Sequence, residues 1–154
     1  MTRSAAAPAL DRRSLLGVAL ALVAVPAARA SDGLPPDVEA AIREQVGAAA
    51  ATEGGIMLRA PETAENGAFV PVTVNVHSAM AGDDRCRAIY LFATRNPTPG
   101  IASYRFGAGI ARAEVSVRLR LAEGQTILAF AEMADGSVRR SAARVAVSTG
   151  GCLT

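Results

Sequence analysis

The chain holds no lysine and no tryptophan, and only one histidine and two cysteines in 154 residues. Each scarcity excludes something. One histidine and two cysteines do not make a metal site, and no run of His, Cys, Asp and Glu has ligand spacing. No nucleophile–histidine–acid set can be assembled, because His77 has no partner at an informative spacing and falls on the polar face of a strand. Aromatic residues make up 4% of the chain, while Ala and Val carry most of a 51% hydrophobic share. That composition suits small strands better than a ligand cavity lined with rings. The formal net charge of +2 also misleads. Residues 1–30 carry Arg3, Arg12, Arg13 and Arg29 against Asp11, and without them 12 basic and 13 acidic residues remain. No basic footprint for nucleic acid is left.

What is present begins with a leader. Arg12-Arg13 precedes the apolar run Leu15–Val25, and Ala28-Arg29-Ala30 follows Pro26. A charged start, a short apolar run and an A-x-A site describe an export signal. The run is well short of the roughly 20 apolar residues a membrane-spanning helix needs. The twin arginine points to the twin-arginine route into the periplasm, with cleavage after Ala30. That route carries folded cargo, so a co-exported partner subunit is expected where no cofactor motif is visible. Thiols tend to be oxidised in that compartment, and a free one is either protected or in use.

The expected organisation is an export signal at 1–30, a segment with a short helix at 31–54, a β-sandwich at 55–149 and a flexible arm at 150–154. Leu34-Pro35-Pro36-Asp37 gives helix start signals, and Val38, Ala41, Ile42 and Val46 recur at helical spacing over 37–47. Beyond Gly54-Gly55 the period becomes 2. Val70, Val72, Val74 and Val76 alternate with Pro71, Thr73, Asn75 and His77, with Pro71 at an edge or near the strand's start. Cys86–Thr94 is the most apolar strand and is expected to be central. Strands are also expected at Ile56–Leu58, Ile101–Phe106, Val115–Leu121, Thr126–Met133 and, after a two-residue Asp135-Gly136 hairpin, Val138 onward. About seven strands in roughly 100 residues is the pattern of an all-β, immunoglobulin-like sandwich.

Few residues carry chemistry. Cys86 is expected on one strand face with Ala88, Tyr90 and Phe92, as a buried filler; a bridge to Cys152 would need their Cα atoms within about 7 Å. Asp83-Asp84 and Glu62 to Glu65 read as loop charges rather than a general acid and base. Arg118 and Arg120 share one strand face and meet either a partner or water. Cys152 stands apart, two residues from the end of the sequence and preceded by Gly150-Gly151, a loose joint. Five residues reach roughly 16–18 Å when extended. An unassisted thiol has a pKa of about 8.5, so Cys152 reads as a handle rather than a catalyst, with an incidental cysteine on a frayed tail as the other reading.

Several motifs in register resemble the SoxY family, the sulfur-carrier subunit of the thiosulfate-oxidising Sox system. They are Ala60-Pro61-Glu62-Thr63-Ala64-Glu65-Asn66-Gly67 with Val70-Pro71-Val72-Thr73-Val74, Leu91-Phe92-Ala93-Thr94-Arg95-Asn96-Pro97 with Phe106-Gly107, Met133-Ala134-Asp135-Gly136-Ser137, and Gly150-Gly151-Cys152. The likeness covers about residues 37–152. It implies an immunoglobulin-like sandwich paired with a second all-β subunit, SoxZ, and a carrier that binds no metal, haem or other cofactor. It implies Cys152 as the covalent attachment point for sulfur intermediates and Gly150-Gly151 as the hinge. A c-type cytochrome would couple thiosulfate to the thiol, a hydrolase would release sulfate, and a sulfane dehydrogenase would oxidise what remains. The family's usual ending is Gly-Gly-Cys-Gly-Gly, whereas this sequence has Leu153 and Thr154 after the cysteine. The alternatives are a related accessory protein of another periplasmic dehydrogenase, or a purely structural or binding sandwich.

Overall fold

The computed structural model describes residues 33–148. The expected export signal with Arg12 and Arg13, and the expected arm with Gly150, Gly151 and Cys152, lie outside them.

One helix, α1 (Pro36–Gln45), precedes nine strands: β1 (Ala51–Glu53), β2 (Ile56–Arg59), β3 (Thr63–Ala64), β4 (Val70–Val76), β5 (Cys86–Ala93), β6 (Gly100–Arg105), β7 (Glu114–Leu119), β8 (Gln125–Met133) and β9 (Val138–Val147). The seven strands read from alternation are all present. The two additions, β1 and β3, are too short to show a period. Both pair in parallel with β9, β1 at its start and β3 at its end. The large sheet runs β1-β9-β8-β5-β6, with β3 also on β9, and a small sheet runs β2-β4-β7.

The two sheets face each other across an aliphatic core. Val70, Val72, Val74 and Val76 of β4 all point into it, each at most 4% exposed. The intervening residues face out, where Thr73 meets the Ser116 hydroxyl at 3.1 Å and Asn75 donates to Glu114 at 3.0 Å. β4 is the middle strand of its sheet, yet Pro71 costs it no ladder bond on the β2 side, because β2 pairs only as far as Thr73. Pro71 thus sits near the strand's start, as expected.

β5 is an interior strand between β8 and the edge strand β6, one place from the expected centre, and is apolar on both faces because each face is covered. Ile89, Leu91 and Ala93 enter the core between the sheets. Ala88, Tyr90 and Phe92 face outward beneath α1, with Phe130 edge-on to Phe92 at 5.6 Å between ring centres. Val38 is the one fully buried residue of the helix, and Ala41, Ile42 and Val46 pack beside it. Pro36 opens the helix, Asp37 and Glu39 suit its N-terminal dipole, and Gly47 at φ 94° follows its last turn.

Two local expectations are corrected. Cys86 does not share a face with Ala88, Tyr90 and Phe92. Cys86 pairs with Met133 but Ala88 with Glu132, so Arg87 is an extra residue, a β-bulge that reverses the alternation. Cys86 therefore joins the core between the sheets. The β8–β9 hairpin also has three loop residues, not two. Met133 accepts from Gly136 and donates to Ser137, and Gly136 holds φ 84°, the left-handed position of a bulged turn.

Candidate functional site

Since Cys152 lies beyond the described residues, the structure bears on it through the root from which its segment leaves. β9 is paired to β8 as far as Val145 and to β3 up to its last residue, Val147. Gln125 of β8 pairs with Val145, while Thr63 and Ala64 of β3 pair with Ala146 and Val147. Ala146 donates its N–H to Glu62 at 2.8 Å, and Ser148 donates its N–H to Ala64 at 3.0 Å. The two-residue strand β3 therefore holds the end of β9 and Ser148 after it, two residues before Gly150 in the sequence.

The loop from β3 to β4 crosses from the large sheet to the small one at this end. Asn66 shapes it, its side-chain oxygen accepting the Ala68 N–H at 2.8 Å. Gly67 accepts the Leu121 N–H at 2.7 Å. A Cβ on Gly67 would lie 2.3 Å from the Leu121 carbonyl oxygen and 3.2 Å from Cγ1 of Val147. Only glycine lets the end of β7, the crossing loop and the end of β9 come this close.

A polar set fixes the neighbouring loops. Gln125, 4% exposed, is the one buried polar residue among those described. It accepts the Arg95 N–H at 2.7 Å and donates to Asn96 at 2.8 Å, while Asn96 itself donates to the Arg120 carbonyl and accepts the Ala122 N–H. A buried amide satisfied on both its ends keeps its surroundings in one arrangement. From this end a groove of about 590 Å³ runs between β6 and β7, floored by Ile101, Tyr104, Val117 and Leu119, with Arg118 and Arg120 on its rim.

The other candidate residues sit elsewhere and do not converge. Cys86 is fully buried, a free thiol that donates weakly to the Ala88 carbonyl at 3.5 Å. Burial pushes its pKa up to about 11, which makes it inert near neutrality. A sulfur with no exposed surface is closed to any cysteine outside the core. His77 is exposed, its N–H donated to Gly55 at 2.9 Å. Asp84 is a structural anchor, accepting the Ala79 N–H at 2.6 Å and an Arg139 N–H at 2.9 Å. Those two contacts, the backbone one first, hold its pKa below the ordinary carboxylate value. Tyr90 donates to Glu132 at 3.0 Å. Burial first, then Glu132, raises the pKa of its phenol. Among the described residues no three His, Cys, Asp or Glu are placed to hold a metal, and no helix is long and apolar enough to cross a membrane.

Sequence reasoning gave Asn96 and Gly67 as parts of the family resemblance, without these contacts, and passed over Gln125. Gln125 opens a strand of otherwise apolar inward positions, which is the one signal that could have marked it.

Residues 42–152 match the family described as sulfur oxidation protein SoxY, a span that takes in Cys152. The sulfur carrier protein SoxY from Chlorobium limicola f thiosulfatophilum is similar in structure, with 31% identity and a TM-score of 0.62 over 73% of this chain and 96% of that one. Superoxide reductases are similar in fold alone. The neelaredoxin of Ignicoccus hospitalis is 16% identical, with a TM-score of 0.50 over 61% of this chain and 80% of its own. The Nanoarchaeum equitans enzyme is 12% identical, with a TM-score of 0.52 over 61% of this chain and 97% of its own. No curated protein matches the sequence significantly.

Proposed function

The chain belongs to the SoxY family of sulfur oxidation proteins, and from that premise we propose that it is a periplasmic carrier holding sulfur intermediates covalently on Cys152. A role as a carrier in sulfur oxidation follows from the family and from the likeness to a sulfur carrier. The observation that carries the finer reading is where the cysteine falls. β9 is held by its neighbours to Ser148, and Cys152 follows four residues later behind two glycines. The sandwich is the mount, Gly150-Gly151 the hinge, and Cys152 the handle.

The loading step joins the Cys152 sulfur to the outer sulfur of thiosulfate. An S–S bond forms, the thiol proton leaves, and two electrons pass to an oxidant, for which a c-type cytochrome is the expected partner. Water then cleaves the bond between that sulfur and the sulfonate, releasing sulfate and two protons and leaving a persulfide. A hydrolase performs that step, and a sulfane dehydrogenase takes the remaining sulfur. The chain supplies the attachment point and presents it; the enzymes supply the chemistry. A SoxZ-like subunit is the expected companion of the sandwich. The twin arginine at Arg12-Arg13 and the site ending at Ala30 support export by the twin-arginine route.

One observation favours a second reading. Leu153 and Thr154 stand where the family's usual ending has two glycines. Service to a different periplasmic dehydrogenase would account for that change.

The test is intact mass of the protein purified from its own host grown on thiosulfate. Thiosulfonate and persulfide additions are expected on the C-terminal peptide, and Cys152→Ser should abolish both. A bare thiol in every growth condition would leave the carrier reading without support.

A further inference from the structure

The outward positions of the small sheet form a distinct surface at the end where the Cys152 segment leaves. Phe69 is 65% exposed, the most exposed large hydrophobic residue among those described. It does not hang on a loose loop, since its N–H reaches the Asn66 carbonyl at 3.4 Å and Gly67 beside it is bonded to Leu121. Pro71, two residues on, pairs in register with Arg118. The ladder's last pair is Val70 with Leu119, and Phe69 and Arg120 are the next residues along the two segments. Pro71, Arg118 and Arg120 are all exposed. Neither arginine has an ion-pair partner among the described residues; the three ion pairs found there belong to Arg95, Arg139 and Arg140. The groove that Arg118 and Arg120 border has no carboxylate in its lining.

An exposed, fixed aromatic beside unpaired arginines is the composition of an interface centre, not of an ordinary solvated strand. Its position narrows the partner. The crossing loop that presents Phe69 passes Val147 so closely that a Cβ on Gly67 would lie 3.2 Å from its Cγ1, so whatever covers this face is within reach of the cysteine. We propose that Phe69, Pro71, Arg118 and Arg120 form the docking face for the enzyme that loads Cys152, which meets them with an apolar recess rimmed by carboxylates. The proposal rests on the carrier reading and adds where the enzyme lands and what it must offer. Phe69 supplies burial, and the arginines steer encounter and set orientation.

The test uses the mature chain with its companion subunit, thiosulfate, and the periplasmic fraction of the host as the source of loading enzyme. The initial rate of mass gain on Cys152 is followed against chain concentration. Phe69→Ser, and Arg118→Glu with Arg120→Glu, should each raise the half-saturating concentration at least about tenfold and leave the maximal rate within about twofold. Raising salt from about 0.05 to 0.3 M should weaken the unaltered chain and barely affect the charge-reversed one. Alkylation of Cys152 by iodoacetamide should proceed equally in all. An unchanged half-saturation in both variants overturns the docking face and leaves the carrier intact. Loss of the companion subunit from the variants on size exclusion also overturns it, reassigning the face to subunit pairing. No cargo on the unaltered chain removes the carrier reading and the docking face with it.

Discussion

Ser148 donates its backbone N–H to the carbonyl oxygen of Ala64 at 3.0 Å, so the sheet holds the chain to within four residues of Cys152. Four residues span at most about 14 Å. An enzyme acting on that sulfur must therefore come close to the end of the sandwich. The bond also makes a testable claim about the root. The amides of Ala146 and Ser148 should exchange with solvent as slowly as those in the middle of β9. Exchange of Ser148 at the rate of an unstructured amide would mean that the root begins earlier than β3 implies.

The contact between Gly67 and Leu121 makes the crossing loop sensitive to a single methyl group. A Cβ at residue 67 would meet the Leu121 carbonyl oxygen at 2.3 Å, and backbone yields less readily than a side chain. Gly67→Ala should cost about 1–3 kcal/mol, measured as a lowered urea midpoint at unchanged slope. It should also lower the yield of enzymatic loading more than Gly109→Ala does. Residue 109 has open space around it, and its strain comes from a positive φ of 91° that Gly67 does not share. Equal loading in the two variants would separate the crossing loop from the working end.

Cys86 should behave as a core residue in two measurements. Near neutrality it should resist iodoacetamide in the native chain and react once the chain is unfolded in urea. Its effect on stability also has a definite sign. Burial raises its pKa to about 11, well above that of an unassisted thiol, so the folded state holds the proton more tightly than the unfolded one. That contribution is complete below about pH 9 and is lost as pH rises through about 11. The stability difference between the unaltered chain and Cys86→Ala should be flat below that window and fall within it. A flat difference throughout would mean that the thiol ionises as freely in the fold as out of it.

The parts of this fold that repeat were legible in the sequence, and the parts that break a repeat were not. Val70, Val72, Val74 and Val76 declare their face by alternation, and β5 declares an interior position by being apolar on both sides. Cys86 was placed on the wrong face because one extra residue, Arg87, reverses the parity, and a β-bulge leaves no trace in composition. β3 was invisible for another reason. Two residues carry no period, and Thr63-Ala64 is a strand only because the end of β9 lies beside it. Phe69 could have been marked by the same alternation that buried Val70, since it occupies an outward position. The sandwich is a consequence of local pattern, whereas the root and the docking face arise from long-range juxtapositions: Ala64 with Ser148, Gly67 with Leu121, Pro71 with Arg118.

Leu153 is the residue through which specificity should be altered most directly. A sulfur presented on a short segment must enter the catalytic cleft of each enzyme that handles it, and its neighbour enters with it. Where the family's usual ending places glycine, the cleft needs no room for a side chain beside the reacting sulfur. A leucine there is a branched apolar group of four carbons, which a cleft shaped for glycine must exclude and a cleft shaped for leucine would bury. Burying or losing even one methylene in a fitted pocket changes discrimination by about tenfold or more. Changing Leu153 and Thr154 to glycine should therefore raise kcat/KM at least about tenfold with a loading enzyme whose own carrier ends Gly-Gly-Cys-Gly-Gly. The same change should lower kcat/KM with the loading enzyme of this protein's own host. Opposite movements in the two assays would identify Leu153 as a specificity element, while indifference in both would show that the clefts read nothing beyond the cysteine.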